Sequence, residues 1–221
     1  MKRYLVEVVL GIVMVLLFLA VSAWQSSETL TKAEVDQYID IMEKNLPIEM
    51  EERNEFIARM REWGKRDDGK PVYMLNLMRY FDRIKPVAGV PETLTPMEAN
   101  DYYEDVAKPM LLKSGSYPIF GGDTLGILEG QKKSNLIVFE PELDNWDRAL
   151  VVRYSGRRAF FELVTDPEYL KVMPYKRASL KYVLTPVSGD IVIPDIRWIA
   201  GGICLTIFLL VGWLRSTRRA M

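Results

Sequence analysis

The chain has 221 residues, 49% hydrophobic and 27% charged, with a net charge of −1. It contains no histidine and a single cysteine, Cys204. This excludes Ser-His-Asp and Cys-His catalytic sites, an internal disulfide and the commonest zinc and haem ligands. A nearly balanced charge, with no basic stripe interleaved with aromatics, argues against nucleic acid as a partner. No metal site and no cofactor is expected.

In chain order, the first element is an apolar run over 5–23, and a second such run closes the chain over 196–214. A helix rising about 1.5 Å per residue over such a length crosses a hydrocarbon core of about 30 Å. Lys2 and Arg3 precede the first run, and Arg215, Arg218 and Arg219 follow the second. The positive-inside rule then predicts two spans in the bacterial inner membrane, with both termini cytoplasmic and the middle of the chain outside. Trp24 and Trp198 would mark the outer interface, with Tyr4 and Trp213 at the inner one. A secretory leader cleaved after Ala23 is the rival reading of the first run. The expected organisation is a membrane helix over 1–24, a helical arm over 25–70, an α+β domain over 71–189, a linker over 190–195, a second membrane helix over 196–215 and a basic tail over 216–221.

The arm reads as two helices. Thr31 and Glu34 form a capping box ahead of Val35, Ile39 and Met42 at helical spacing. Asn45 to Pro47 breaks that helix. Phe56, Ile57, Met60 and Trp63 share one face of the next, with Gly64 as its stop. A strand over 72–78 follows, apolar on both faces except for Asn76, and Arg79 closes it. Thr95, Pro96 and Glu98 open a helix that ends at Gly115. Short strands are expected over 117–120, 124–128 and 135–139, with Gly121 and Gly122 as a turn or bulge. A strand over 148–154, a helix over 155–164, a helical stretch from Asp166 and a strand over 182–187 complete the domain. Without the extras the order is βαββαβ, a ferredoxin-like plait.

Several local motifs in this order resemble one family. They are Val72-Tyr-Met-Leu-Asn76-Leu-Met-Arg79, the pair Gly121-Gly122, and Trp146-Asp147 followed by Val151-Val-Arg153-Tyr154-Ser-Gly-Arg157-Arg-Ala-Phe160. Asp166-Pro-Glu-Tyr169 with Pro174 is the last. The stretch 71–187 thus resembles the DUF1330 family, within the dimeric α+β barrels. The resemblance implies a homodimer in which two plaits pack sheet to sheet around a pocket. Tyr175-Lys176 stands where relatives often carry His-Arg, so histidine-dependent chemistry does not carry over. An insertion over 131–145 also departs from the pattern.

The candidate ligand-binding residues are Asn76, Arg79, Tyr102, Trp146, Arg153, Arg157 and Tyr169. Asn76, in an apolar strand, needs a hydrogen-bond partner from the protein or from a ligand carbonyl. Asn76 and Arg79 lie three apart on a strand and so point to opposite faces. Arg153 and Arg157 flank a strand-to-helix turn, where an anion or an acidic side chain would pair with them. Trp146, Tyr102, Tyr103 and Tyr169 are either core or the floor of an apolar pocket. Three functions fit these residues: a membrane-tethered dimer binding a small apolar or carboxylate ligand, a cofactor-free monooxygenase or isomerase acting on an enolisable substrate, and a structural partner in an envelope complex.

Overall fold

A computed structural model of the chain describes residues 5–127, 129, 133–137, 145–189 and 196–219. These form α1 (Leu5–Trp24), α2 (Lys32–Asn45), α3 (Met50–Lys65), β1 (Val72–Tyr80), α4 (Pro96–Lys113), β2 (Tyr117–Asp123), β3 (Arg148–Tyr154), α5 (Arg157–Thr165), α6 (Pro167–Ser179), β4 (Leu180–Val187) and α7 (Ile196–Arg219). The chain divides into two units, Met1–Ser188 and Gly189–Met221.

Capping chemistry sets where the helices of the first unit begin. The Glu34 amide donates to the Thr31 hydroxyl at 3.3 Å, and the Glu34 carboxylate accepts from the Thr31 amide at 2.8 Å. Two amides that the helix cannot pair are thereby satisfied. Thr95 and Glu98 repeat the device on α4, and Asp166 caps α6 by accepting from the Glu168 amide. One expected stop falls elsewhere and one holds. α3 runs through Gly64 to Lys65, because Gly64 faces the core: a Cβ there would lie 2.9 Å from Phe161 Cζ and 3.0 Å from a Val35 methyl. Gly115 does end α4, with φ at +69°, in the left-handed region that glycine occupies without steric cost.

The four strands form one antiparallel sheet in the order β2-β3-β1-β4. β2 runs straight through Gly121 and Gly122, and its irregularity falls between Pro118 and Phe120 instead. Gly121 serves close packing, since a Cβ would meet Leu150 Cδ1 at 2.9 Å. Of the two further strands expected after Gly122, residues 124–127 and 135–137 are not strand, and residues 128, 138 and 139 lie outside the described residues. One face of the sheet is buried through Val72, Met74, Asn76 and Met78 of β1, which alternate as a strand with one covered face must. Against that face pack α4, α5 and α6, and α6 passes into β4 at Ser179–Leu180 with no intervening loop.

The helical arm is part of this core. Val35, Ile39 and Met42 of α2 and Ile57 and Met60 of α3 belong to the same buried cluster as Phe160, Phe161 and Val152. Trp63 meets Phe160 edge-on at 5.5 Å and stacks on Phe161 at 6.1 Å. Arg158 donates to the Glu34 carboxylate at 2.6 and 3.0 Å. That paired guanidinium, with the Thr31 hydrogen bonds, holds the Glu34 carboxyl down at about 2. Residues 24–29 lie on glycines of the domain: a Cβ at Gly115 would meet the Trp24 carbonyl oxygen at 1.9 Å, and one at Gly156 would meet Ser27 Oγ at 2.5 Å.

Several expectations are corrected here. The barrel is not formed: the sheet is open, with β2 and β4 at its edges. Four strands are too few to close on themselves at the tilt a barrel needs. The two membrane spans are not found: among the described residues no helix is long and apolar enough to cross a membrane. The lipid bilayer as partner and the inner-membrane placement rested on those spans and fall with them. Trp24, expected at a membrane interface, instead donates its indole N–H to the Leu112 carbonyl at 2.8 Å and stacks on Tyr117 at 6.1 Å.

The second unit, described by itself, is the helix α7. Its side chains from Ile199 to Leu214 are exposed, Cys204 among them.

Candidate functional site

Between the covered face of the sheet and the helices α4, α5 and α6 lies a cavity of about 370 Å³. Its position follows from the alternation of β1 and β3. Antiparallel pairing sets Met78 opposite Arg148, Asn76 opposite Leu150 and Met74 opposite Val152, all toward the helices. α4 supplies Asn100, Tyr103, Glu104, Ala107 and Leu111 at the three- and four-residue spacing of one helix face. α6 supplies Tyr169 and Lys176, and all of these residues line the cavity.

The polar groups at one end form a linked set. Arg148 donates to Glu104 at 2.9 Å, Lys108 Nζ lies 2.8 Å from the same carboxylate, and the Asn100 amide donates to it at 2.9 Å. Burial would raise the Glu104 carboxyl, but the hydrogen bonds from Lys108 and Asn100 and the charge of Arg148 outweigh it and hold it below the usual range. The Asn100 amide also donates to the Tyr80 hydroxyl at 3.3 Å, while its Oδ1 is buried without a partner. The Tyr103 and Tyr169 hydroxyls bond one another at 3.0 Å, and burial pushes both phenols up.

Lys176 is the chemically distinctive member. It is 7% exposed, and its Nζ sits 4.6 Å from the Tyr182 ring centroid and 5.1 Å from that of Tyr103. Burial lowers its pKa to about 8, and the Glu104 charge opposes that shift without cancelling it. An amine in this range is a base and nucleophile near neutral pH. It was missed in the sequence because a lysine between Tyr175 and Arg177 reads as a solvated helix face. The available signal was spacing: Tyr169, Val172 and Lys176 fall at i, i+3 and i+7, and all three are buried.

Of the seven residues singled out in the sequence, the cavity brings together Asn76 and Tyr169. Asn76 donates to the carbonyls of Met74 at 3.0 Å and Leu150 at 3.4 Å. Arg79 pairs with Lys181 across the strands, on the opposite sheet face from Asn76. Arg153 is on that opposite face as well, over the Tyr117 ring at 5.6 Å and donating to the Gly115 carbonyl at 3.4 Å. Arg157 lies over Trp63 at 5.7 Å with Asp67 and Asp68 each 3.9 Å away. Tyr102 is exposed and packs on Tyr175 at 4.6 Å. Trp146 accepts from the Thr124 hydroxyl through its carbonyl, away from the cavity. A second, more open cleft is lined by Asp101, Asp123 and Asp147. Among the described residues no group of three His, Cys, Asp or Glu is placed to hold a metal.

No family model matches the chain, and no curated protein matches it. The expected membership of the DUF1330 family is therefore corrected. The fold does match solved structures. A structural-genomics protein of unknown function from Rhodopseudomonas palustris aligns at 22% identity and a TM-score of 0.50, covering 68% of this chain and 100% of that one. The methylated form of that protein aligns at 23% identity and a TM-score of 0.50, covering 64% and 93%. Likeness at this identity shows a shared mixed α/β fold and nothing of function.

Proposed function

We propose that the domain is an enzyme of the cofactor-free isomerase kind, moving a proton at a carbon next to a carbonyl. The carrying observation is Lys176: a buried amine, on the wall of a cavity, held at a pKa of about 8. A general base works best when its pKa lies near the operating pH. The neutral amine takes the α-proton, and the C–H electron pair moves into the carbonyl to leave an enolate. The ammonium then returns the proton to the same α-carbon, on either face, which inverts or exchanges that centre as the carbonyl re-forms. Arg148 and Lys108 place positive charge at the same end of the cavity, where the enolate oxygen develops its charge. The tyrosine pair, kept as neutral phenols by burial, spends one O–H on its own hydrogen bond and offers the other as a donor rather than an anion. The ligand-binding dimer expected from the sequence is set aside, since its membrane anchors, family and barrel are not found.

The test is wash-in of solvent deuterium into a panel of small enolisable ketones, followed by proton NMR. The native chain exchanges the α-protons faster than buffer, with a rate that rises toward pH 8 and levels above it. Lys176→Met, checked for folding by circular dichroism, exchanges at the buffer rate. Equal exchange by both proteins, or none by either, overturns the proposal.

A further inference from the structure

We infer that the cavity takes an amphipathic carbonyl compound: a polar head with a hydroxyl beside the carbonyl, and an apolar tail. This rests on the enzyme reading above and names its substrate class. Polarity along the cavity is graded. On β3, Arg148 and Tyr154 are separated by roughly 20 Å at about 3.3 Å per residue, with Leu150 and Val152 between them on the same face. On α4 the change runs in parallel, from Asn100 and Glu104 to Leu111. Tyr182 pairs with Met78 and so does Arg148, which sets Lys176, seated over Tyr182, at the polar end.

Asn100 specifies the hydroxyl. The residue is 0% exposed and lines the cavity, and its Oδ1 is buried without a protein partner. Both amide hydrogens are engaged, by Glu104 and by Tyr80. Turning the amide over would set its oxygen against the Glu104 carboxylate, so the orientation is fixed. A buried acceptor left unpaired is costly, and a donor on the ligand relieves it. The cations Arg148, Lys108 and Lys176 outnumber the Glu104 carboxylate at this end, which favours a head whose oxygen gains negative charge as its α-proton leaves. With a water-sized group taking about 30 Å³, the cavity of about 370 Å³ accepts about a dozen non-hydrogen atoms, enough for such a head and a short chain or one ring.

The experiment compares 1-hydroxy-2-octanone with its methyl ether, 1-methoxy-2-octanone, by isothermal titration calorimetry on the native chain and on Asn100→Leu. The native chain is expected to bind the hydroxyketone about tenfold more tightly than the ether, the ratio one buried hydrogen bond supports. In Asn100→Leu the two bind alike. The comparison on the native chain stands even where the variant does not fold. Equal binding of the two ketones by the native chain, or binding of neither, overturns the inference. A hydroxyl preference without deuterium exchange leaves it intact and sinks the enzyme reading. Exchange without a hydroxyl preference does the reverse.

Discussion

Replacing Lys176 by methionine removes a charge that folding forces out of water and leaves a side chain of similar length between Tyr103 and Tyr182. In the native fold the amine titrates at about 8, against an ordinary value of 10.5. Between these values the unfolded chain binds more protons than the folded one, so stability rises with pH. At one pKa unit per 1.36 kcal/mol, the whole shift amounts to about 3 kcal/mol, of which roughly 2 kcal/mol is recovered by pH 10. The methionine variant has no such slope. Urea unfolding of both proteins at pH 7, 8, 9 and 10, followed by circular dichroism, measures the stability difference at each pH. Buried tyrosines also titrate at alkaline pH, but they do so in both proteins and cancel in the difference. The advantage of the methionine variant should shrink by about 2 kcal/mol across this range. A difference that stays constant within about 0.5 kcal/mol, near the scatter expected of additive effects, would refute the argument and leave Lys176 an ordinary solvated lysine.

Three further outcomes are expected. Gly115→Ala forces a Cβ into the left-handed region and against the Trp24 carbonyl, breaking the indole bond to Leu112. A loss of about 2 to 4 kcal/mol follows, seen as a lowered midpoint in thermal melts. Gly64→Ala gains about 1 kcal/mol of helix propensity but overpacks Phe161 by about 1 to 3 kcal/mol. In a double-mutant cycle with Phe161→Leu the cost should shrink while the Val35 contact remains, and purely additive effects would show that Phe161 makes no steric contact. Glu34, held at about 2 by Arg158 and Thr31, contributes stability that is present above its ordinary pKa of 4.5 and lost as pH falls toward 2. Melts between pH 6 and pH 2 should show that loss in the native chain and a flatter profile in Glu34→Gln.

What was legible in the sequence was local. The caps at Thr31, Thr95 and Asp166 and the strands at Asn76, Val152 and Leu184 follow from hydrogen bonds and alternation within a few residues. What was not legible depends on partners distant along the chain. Gly64 looks like a helix stop because its contact, Phe161, comes from another helix. Arg153 and Arg157 look convergent because they are close in sequence, yet Arg153 turns to the far face of the sheet and Arg157 turns to Trp63. Lys176 carries the site, and no local rule separates it from the solvated lysines around it until Tyr182 and Tyr103 are known to flank it. The family resemblance rested on short matches in the right order, each fixed by a few neighbouring residues, and no family model matches the chain.

The passage of α6 straight into β4 bears on which changes of chain length this domain can absorb. With no loop between Ser179 and Leu180, a single residue added or removed after Lys176 has no slack to occupy. It would carry through into β4 and exchange the two faces of that strand. Tyr182 would then turn away from the amine it now covers, and Lys181 (for an added residue) or Val183 (for one removed) would take its place opposite Met78. Insertions and deletions should therefore be absent from residues 176–182 in any chain that keeps this lysine at work, however much the connections elsewhere vary.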